Sequence, residues 1–213
     1  MSEPMLALAG DHTHIGQYQI LQGVDLVVPR GALLFDGNDV TRAATPDISC
    51  AGIAYVPENM VIFSDLTVRE ILLLAARAGE PDTARLEWIF GFFPALKKFW
   101  NQAAGTLSGG QKQMLAIARA IVEPRKLLLV DEPTKGLAPA IIQNLIGAFR
   151  ELKRQDTTIL LVEQNFMMAK ALGDSVAVMD DGRVVHRGAM RELAEDESLQ
   201  QRLDVVQHAA HIH

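Results

Sequence analysis

Apolar residues recur along the chain with two interleaved periods. From Gln19 to Val28, the positions Leu21, Val24, Leu26 and Val28 follow a rough period of two and stop at Pro29-Arg30-Gly31, which predicts a strand running into a turn. Leu33 to Phe35 then meets the turn pair Asp36-Gly37, and Ile53 to Val56 is a short apolar run closed by Pro57, again strand-like. Thr67-Val68-Arg69-Glu70 is a capping box that opens a helix continuing through Ile71 to Ala78, with Leu66 and Ile71 placed to staple it. Leu86, Ile89, Phe90 and Phe93 have helical spacing that stops at Pro94.

Farther along, Ser108 is placed to cap a helix carrying Met114, Ile117, Ala118 and Ile121 on one face, and Glu123-Pro124 ends it. Leu127 to Val130 is a continuous aliphatic strand, and Thr158 to Val162 is a second. Between them, Pro139 suits a first helical position, with Ile142, Leu145, Ile146, Phe149 and Leu152 as the buried stripe. Val176 to Met179, the Asp180-Asp181-Gly182 turn, Arg183 to Val185 and a polar helix from Met190 complete the chain. Alternating buried strands and helices imply an α/β fold with a mostly parallel sheet. The expected segments are 1–65, an N-terminal β part; 66–106, a small helical subdomain; 107–188, the remaining core; and 189–213, a C-terminal helix and tail.

Composition narrows the function classes. The chain has 213 residues, 49% of them hydrophobic, enough to bury one core or a core with a small subdomain. Its longest apolar run, Ile71 to Ala76, is far short of the ~20 residues of a membrane span. The N-terminus lacks a basic stretch followed by a long apolar core, so no signal peptide is expected, and a cytoplasmic location is. Cys50 stands alone and is read as a structural thiol. A net charge of -6 argues against broad phosphate-backbone contact, so nucleic acid is not an expected partner.

The most specific feature is Leu107-Ser108-Gly109-Gly110-Gln111 at a helix start, followed 20 residues after Gln111 by Asp131-Glu132-Pro133 at the end of an aliphatic strand. A hydroxyl and two glycine amides at a helix N-terminus form an anion site, since unpaired N–H groups and the helix dipole converge where no Cβ blocks approach. Either motif alone is matched by ordinary loops and caps; both together, in this order and context, are not.

That pairing resembles the ATP-binding-cassette (ABC) ATPases, and the resemblance extends over nearly the whole chain. Ile53-Ala54-Tyr55-Val56-Pro57-Glu58, Lys135-Gly136-Leu137-Ala138-Pro139 and Leu160-Leu161-Val162-Glu163-Gln164-Asn165 are similar to the second ATPase subunit of branched-chain amino acid or related amide importers. The resemblance implies a P-loop NTPase-like core with a small helical subdomain, and ATP and Mg²⁺ as cofactors. It implies that Asp131 holds Mg²⁺ through water and that Glu132 orients or deprotonates the attacking water. It places Glu58 at the Q-loop position, usually Gln, in contact with Mg²⁺, and Gln164 where a switch His usually reaches the γ-phosphate. A neutral amide there donates a hydrogen bond but carries no charge. Ser108, Gly109, Gly110 and Gln111 would bind ATP in trans, across a head-to-tail dimer with a second copy or a paralogous ATPase subunit. Integral membrane permease subunits are the further expected partners, placing the chain peripherally on the inner face of the cell membrane.

Two departures from the family pattern stand out. The position of the adenine-stacking aromatic is taken by Ile15, with Tyr18 three residues away, and no G-x-x-x-x-G-K-[ST] occurs in the sequence. Relatives carry that Walker A loop between the turn at Pro29-Arg30-Gly31 and the strand ending Phe35-Asp36-Gly37, so a strand-helix unit is expected to be missing after Gly31. The nucleotide site in cis is then expected to be inactive. The alternative function is a noncatalytic or degenerate subunit that contributes only the signature motif and a docking surface. A cassette of DNA repair or chromosome maintenance is disfavoured by the acidic balance. Met60-Val61-Ile62-Phe63 is read two ways, as core or as part of a groove for a coupling helix of the membrane subunit. His12, His14, His208, His211 and His213 are read as solvated, although the last three have a loose metal-binding spacing.

Overall fold

The computed structural model describes residues 6–7, 19–21, 34–77, 79–180 and 183–203. Expectations placed on Ile15, Tyr18, Val24 to Leu33, Asp181-Gly182 and the five histidines at the chain ends lie outside those residues. The fold is α/β, as the alternation implies, with a sheet that is parallel in part and flanking helices. Two compact units make it up: Ala54–Thr158, and Met1–Ile53 together with Ile159–His213.

The Ala54–Thr158 unit takes in most of strand β5 (Ile53–Val56), together with helices α2 (Val68–Ala75), α3 (Thr83–Phe92), α4 (Pro94–Lys98) and α5 (Gly109–Ile121). Strand β6 (Leu127–Asp131), the sheet neighbour of β5, and helix α6 (Pro139–Arg154) complete it. Ala54 and Val56 are buried and Tyr55 between them is exposed, the alternation of a strand with one solvent-facing position. Helix α2 starts as expected. Thr67 Oγ1 accepts from the Glu70 N–H at 3.2 Å, and the Thr67 N–H donates to Glu70 Oε2 at 2.8 Å. It stops at Ala75 rather than reaching Ala78, because Ala76 turns extended and the Arg77 N–H donates to Glu123 Oε1. Pro94 ends α3 and also opens α4, where its missing N–H costs nothing at the first turn.

Backbone pairing joins the start of α2 to the loop before α5. Val68 and Arg69 donate to the carbonyls of Gln102 and Trp100, while Ala104 and Gly105 donate to those of Leu66 and Ser64. The apolar faces of the helices meet in a core that includes Ile71, Leu72, Ile89, Leu115, Leu128 and Phe149, all 2% exposed or less. Each such side chain contributes about 1.5 to 3 kcal/mol by its removal from water.

In the other unit, β3 (Leu34–Phe35) and β4 (Asn38–Asp39) form a hairpin across Asp36-Gly37, both with positive φ, and β1 (Leu6–Ala7) pairs with β3. Strands β7 (Thr158–Glu163), β2 (Gln19–Leu21), β8 (Ser175–Asp180) and β9 (Arg183–Ala189) lie side by side in that order, with β2 antiparallel to β7 and β8, and β8 antiparallel to β9. Two short helices had no counterpart in the sequence reading. These are α1 (Thr45–Ala51), which buries no side chain, and α7 (Phe166–Leu172), capped by the Asn165 side chain. Helix α8 (Met190–Glu195) is less polar in effect than expected. Its Met190 and Leu193 are buried in a cluster with Phe166, Ala169, Val176 and Val178, and α9 (Glu197–Arg202) follows. Cys50 is exposed on α1. Among the described residues no helix is long and apolar enough to cross a membrane.

Candidate functional site

Strand β6 delivers Asp131 as its last residue, and the chain then breaks sharply: Glu132 has φ +43°, a left-handed conformation uncommon for a residue with a Cβ. The break turns the Glu132 carboxyl partly inward, so that its side chain is only 16% exposed. Four residues after Asp131, Lys135 extends back over the turn. Its Nζ pairs with Glu58 Oε1 and lies 3.8 Å from Glu132 Oε2. Glu58 follows Pro57 at the end of β5, the sheet neighbour of β6, so the strand ends bring Glu58, Asp131, Glu132 and Lys135 together within one unit.

The electrostatics follow from that crowding. Burial pushes the Asp131 carboxyl above its ordinary range, the charges of Glu132 and Glu58 push it the same way, and Lys135 opposes them. Hydrogen bonding to Glu58, then the charges of Glu58 and Glu132, hold the Lys135 ammonium above its ordinary value. Burial, with Asp131 and Glu58 nearby, raises the Tyr55 phenol. Sequence reasoning gave no role to Lys135 or Tyr55. Tyr55 could have been found as the one outward position of β5, and Lys135 as a cation a turn beyond two acids.

The signature segment is built as a capped helix start. Ser108 Oγ accepts from the Gln111 N–H at 3.4 Å, and Gln111 Oε1 accepts from the Ser108 N–H at 2.8 Å. The Ser108 and Gln111 side chains thus close a second capping box, an arrangement the sequence reading did not include. The two glycines differ. A Cβ on Gly109 would meet nothing within 4 Å, leaving its backbone open to approach, whereas one on Gly110 would lie 3.1 Å from Ile141 Cδ1 and 3.4 Å from Leu137 Cδ2. A side chain at Gly110 would therefore have to push Ile141 aside by a few tenths of an ångström.

Gln164 belongs to the other unit, exposed at the end of β7 between buried Glu163 and the helix-capping Asn165. Val61 and Phe63 are 59% and 63% exposed, so the core reading of Met60 to Phe63 fails for both, and the Val61 carbonyl is held by Arg119 Nη1 at 2.8 Å.

The donor set fits a hard divalent cation held mainly through phosphate. It consists of the carboxylates of Glu58, Asp131 and Glu132 at neighbouring strand ends, and among the described residues no closely grouped set of three potential metal ligands is found. Magnesium commonly takes one or two carboxylates and completes its shell with water and substrate phosphates.

An α/β core with a capped Ser-Gly-Gly helix and two acids at a strand end is the arrangement of a nucleotide-binding cassette, and a family model described as "ABC transporter" matches residues 19–135. The chain belongs to the ABC transporter family. It is 40% identical over 157 residues to the high-affinity branched-chain amino acid transport ATP-binding protein BraG of Pseudomonas aeruginosa, covering 73% of this chain and 67% of that one. It is 36% identical over 178 residues to a probable branched-chain amino acid transport ATP-binding protein, LivF, of Archaeoglobus fulgidus, covering 81% of this chain and 75% of that one. Among solved structures, an ATP-binding subunit of an ABC transporter superimposes with a TM-score of 0.68 at 29% identity, over 83% of this chain and 75% of that one.

Proposed function

We propose that the chain is an ATP-binding subunit of an ABC importer, coupling ATP binding and hydrolysis to uptake of branched-chain amino acids or similar small solutes. The observation that carries this reading is the joint presence of the capped, open Gly109 helix start and the acids Asp131 and Glu132 at the end of β6. The names of the BraG and LivF relatives support the solute class. In this reading Asp131 and Glu58 face the cation that accompanies ATP, which supplies charge neutralisation of the phosphates. Glu132 takes the proton of the attacking water, and Gln164, at the family's switch position, serves as a neutral hydrogen-bond donor. Ser108, Gly109, Gly110 and Gln111 serve the nucleotide of a head-to-tail partner, either a second copy or a paralogous ATPase subunit. The exposed Val61 and Phe63 would face a permease subunit at the inner face of the membrane.

A second reading is favoured by the lack of G-x-x-x-x-G-K-[ST] in the 213 residues. Here the chain is a degenerate subunit that contributes only its signature motif and docking surface. One experiment separates the two. ATP turnover is measured for the chain alone and reassembled with a paralogous subunit, using Glu132→Gln and Gly109→Asp variants. Loss of turnover with Glu132→Gln supports the first reading, and a fall of roughly 10²–10⁴-fold is the scale for removing a general base. Loss with Gly109→Asp alone supports the second. Indifference to both would sink the two together.

A further inference from the structure

We propose that Lys135 is the resident cation of the acidic site, a tethered ammonium occupying the electrostatic role that a divalent cation takes when nucleotide is present. The inference rests on the reading of Asp131 and Glu58 as the cation side of the site.

Its basis is geometric. The Lys135 ammonium pairs with Glu58 while lying 3.8 Å from Glu132, so a single positive charge joins the loop after β5 to the loop after β6. The lysine side chain is 63% exposed and Glu58 46%, so the pairing adds little to folding stability. Its effect is local, lowering the negative potential that would otherwise draw a cation to Asp131 and Glu58. An ammonium is a compact, strongly hydrated point charge on a flexible stem. It is therefore well suited to moving aside when a better-coordinated cation arrives with phosphate ligands, and to returning when that cation leaves. The chain would thus hold its acids together between nucleotide-binding events and discriminate against free divalent ions.

The test titrates Mn²⁺ into the full-length chain without nucleotide, reading affinity by the electron paramagnetic resonance signal of free Mn²⁺. Four forms are compared: the unaltered chain, Lys135→Gln, Asp131→Asn, and Asp131→Asn combined with Lys135→Gln. Circular dichroism confirms that each is folded. Lys135→Gln is expected to bind Mn²⁺ about tenfold more tightly, because one like charge a few ångströms from the ion has been removed in a solvent-screened setting. That gain should vanish in the double variant. A gain below about threefold overturns the role of Lys135, and the reading of the acidic site survives that result if the Mn²⁺ binding remains sensitive to Asp131→Asn. A gain that persists without Asp131 overturns both, since the ion then binds elsewhere.

Discussion

Gly105 donates its N–H to the Ser64 carbonyl at 2.9 Å, and a Cβ on Gly105 would lie 2.9 Å from that same oxygen. No flexible side chain is available to give way, since the obstacle is backbone. Gly105→Ala should therefore pull apart the pairing of residues 64–69 with 100–105 and lower unfolding stability by about 1 to 3 kcal/mol. Urea denaturation checks this, and an unchanged midpoint would refute the close approach.

Gly109 and Gly110 are adjacent in sequence and opposite in expectation. Gly109→Ala places a methyl in open space at a helix start and should leave stability unchanged or raise it by up to about 1 kcal/mol. Gly110→Ala presses on Ile141 and should lower the melting temperature relative to Gly109→Ala. If the open amide of Gly109 serves a partner's nucleotide, Gly109→Ala lowers turnover of the assembled pair without loss of fold. Equal melting temperatures for the two variants would contradict the packing role of Gly110.

Helix α6 ends in a Schellman motif, with Asp156 N–H bonded to the Lys153 carbonyl and Thr157 N–H to that of Leu152. Asp156 sits at φ +59°, a left-handed position that glycine adopts without strain, and its negative charge faces the negative end of the helix dipole. Asp156→Gly should raise stability by about 0.5 to 1 kcal/mol, measured by chemical denaturation. A decrease would show that the Asp156 side chain earns its place by a contact worth more than the backbone penalty.

Glu70 has a pH signature. Hydrogen bonds from the Thr67 backbone and then its hydroxyl hold the Glu70 carboxyl below its ordinary value of 4.5. A depressed carboxyl stabilises the fold above the unfolded value, and that contribution is lost as pH falls through the folded one. The melting temperature of the unaltered chain should exceed that of Glu70→Ala at neutral pH, with the difference shrinking below about pH 4.5. A pH-independent difference would assign the effect to helix propensity instead of the capping carboxylate.

Elements with strong periodicity and caps were legible in the sequence. Thr67 and Glu70 announced α2, Ser108 announced α5, Pro139 announced α6, and the aliphatic runs announced β6 and β7. Helix α1 was not, because it buries no residue and so leaves no apolar stripe to read. Helix α7 was hidden for a different reason. At seven residues it is too short for a periodic signal, and the cap that Asn165 provides becomes visible only in the structure. At the site, Asp131 and Glu132 were readable as acids after a strand. The left-handed backbone at Glu132 and the return of Lys135 to Glu58 were not, since both depend on how the chain turns after β6.

The absence of a side chain at Gly110 has a mechanical consequence. With Ile141 and Leu137 seated against its backbone, the first turn of α5 and the beginning of α6 are keyed to one another, like teeth of adjoining gears. A substituent at Gly110 would therefore press on the start of α6, the element that follows directly on the stretch of chain from Glu132 to Pro139.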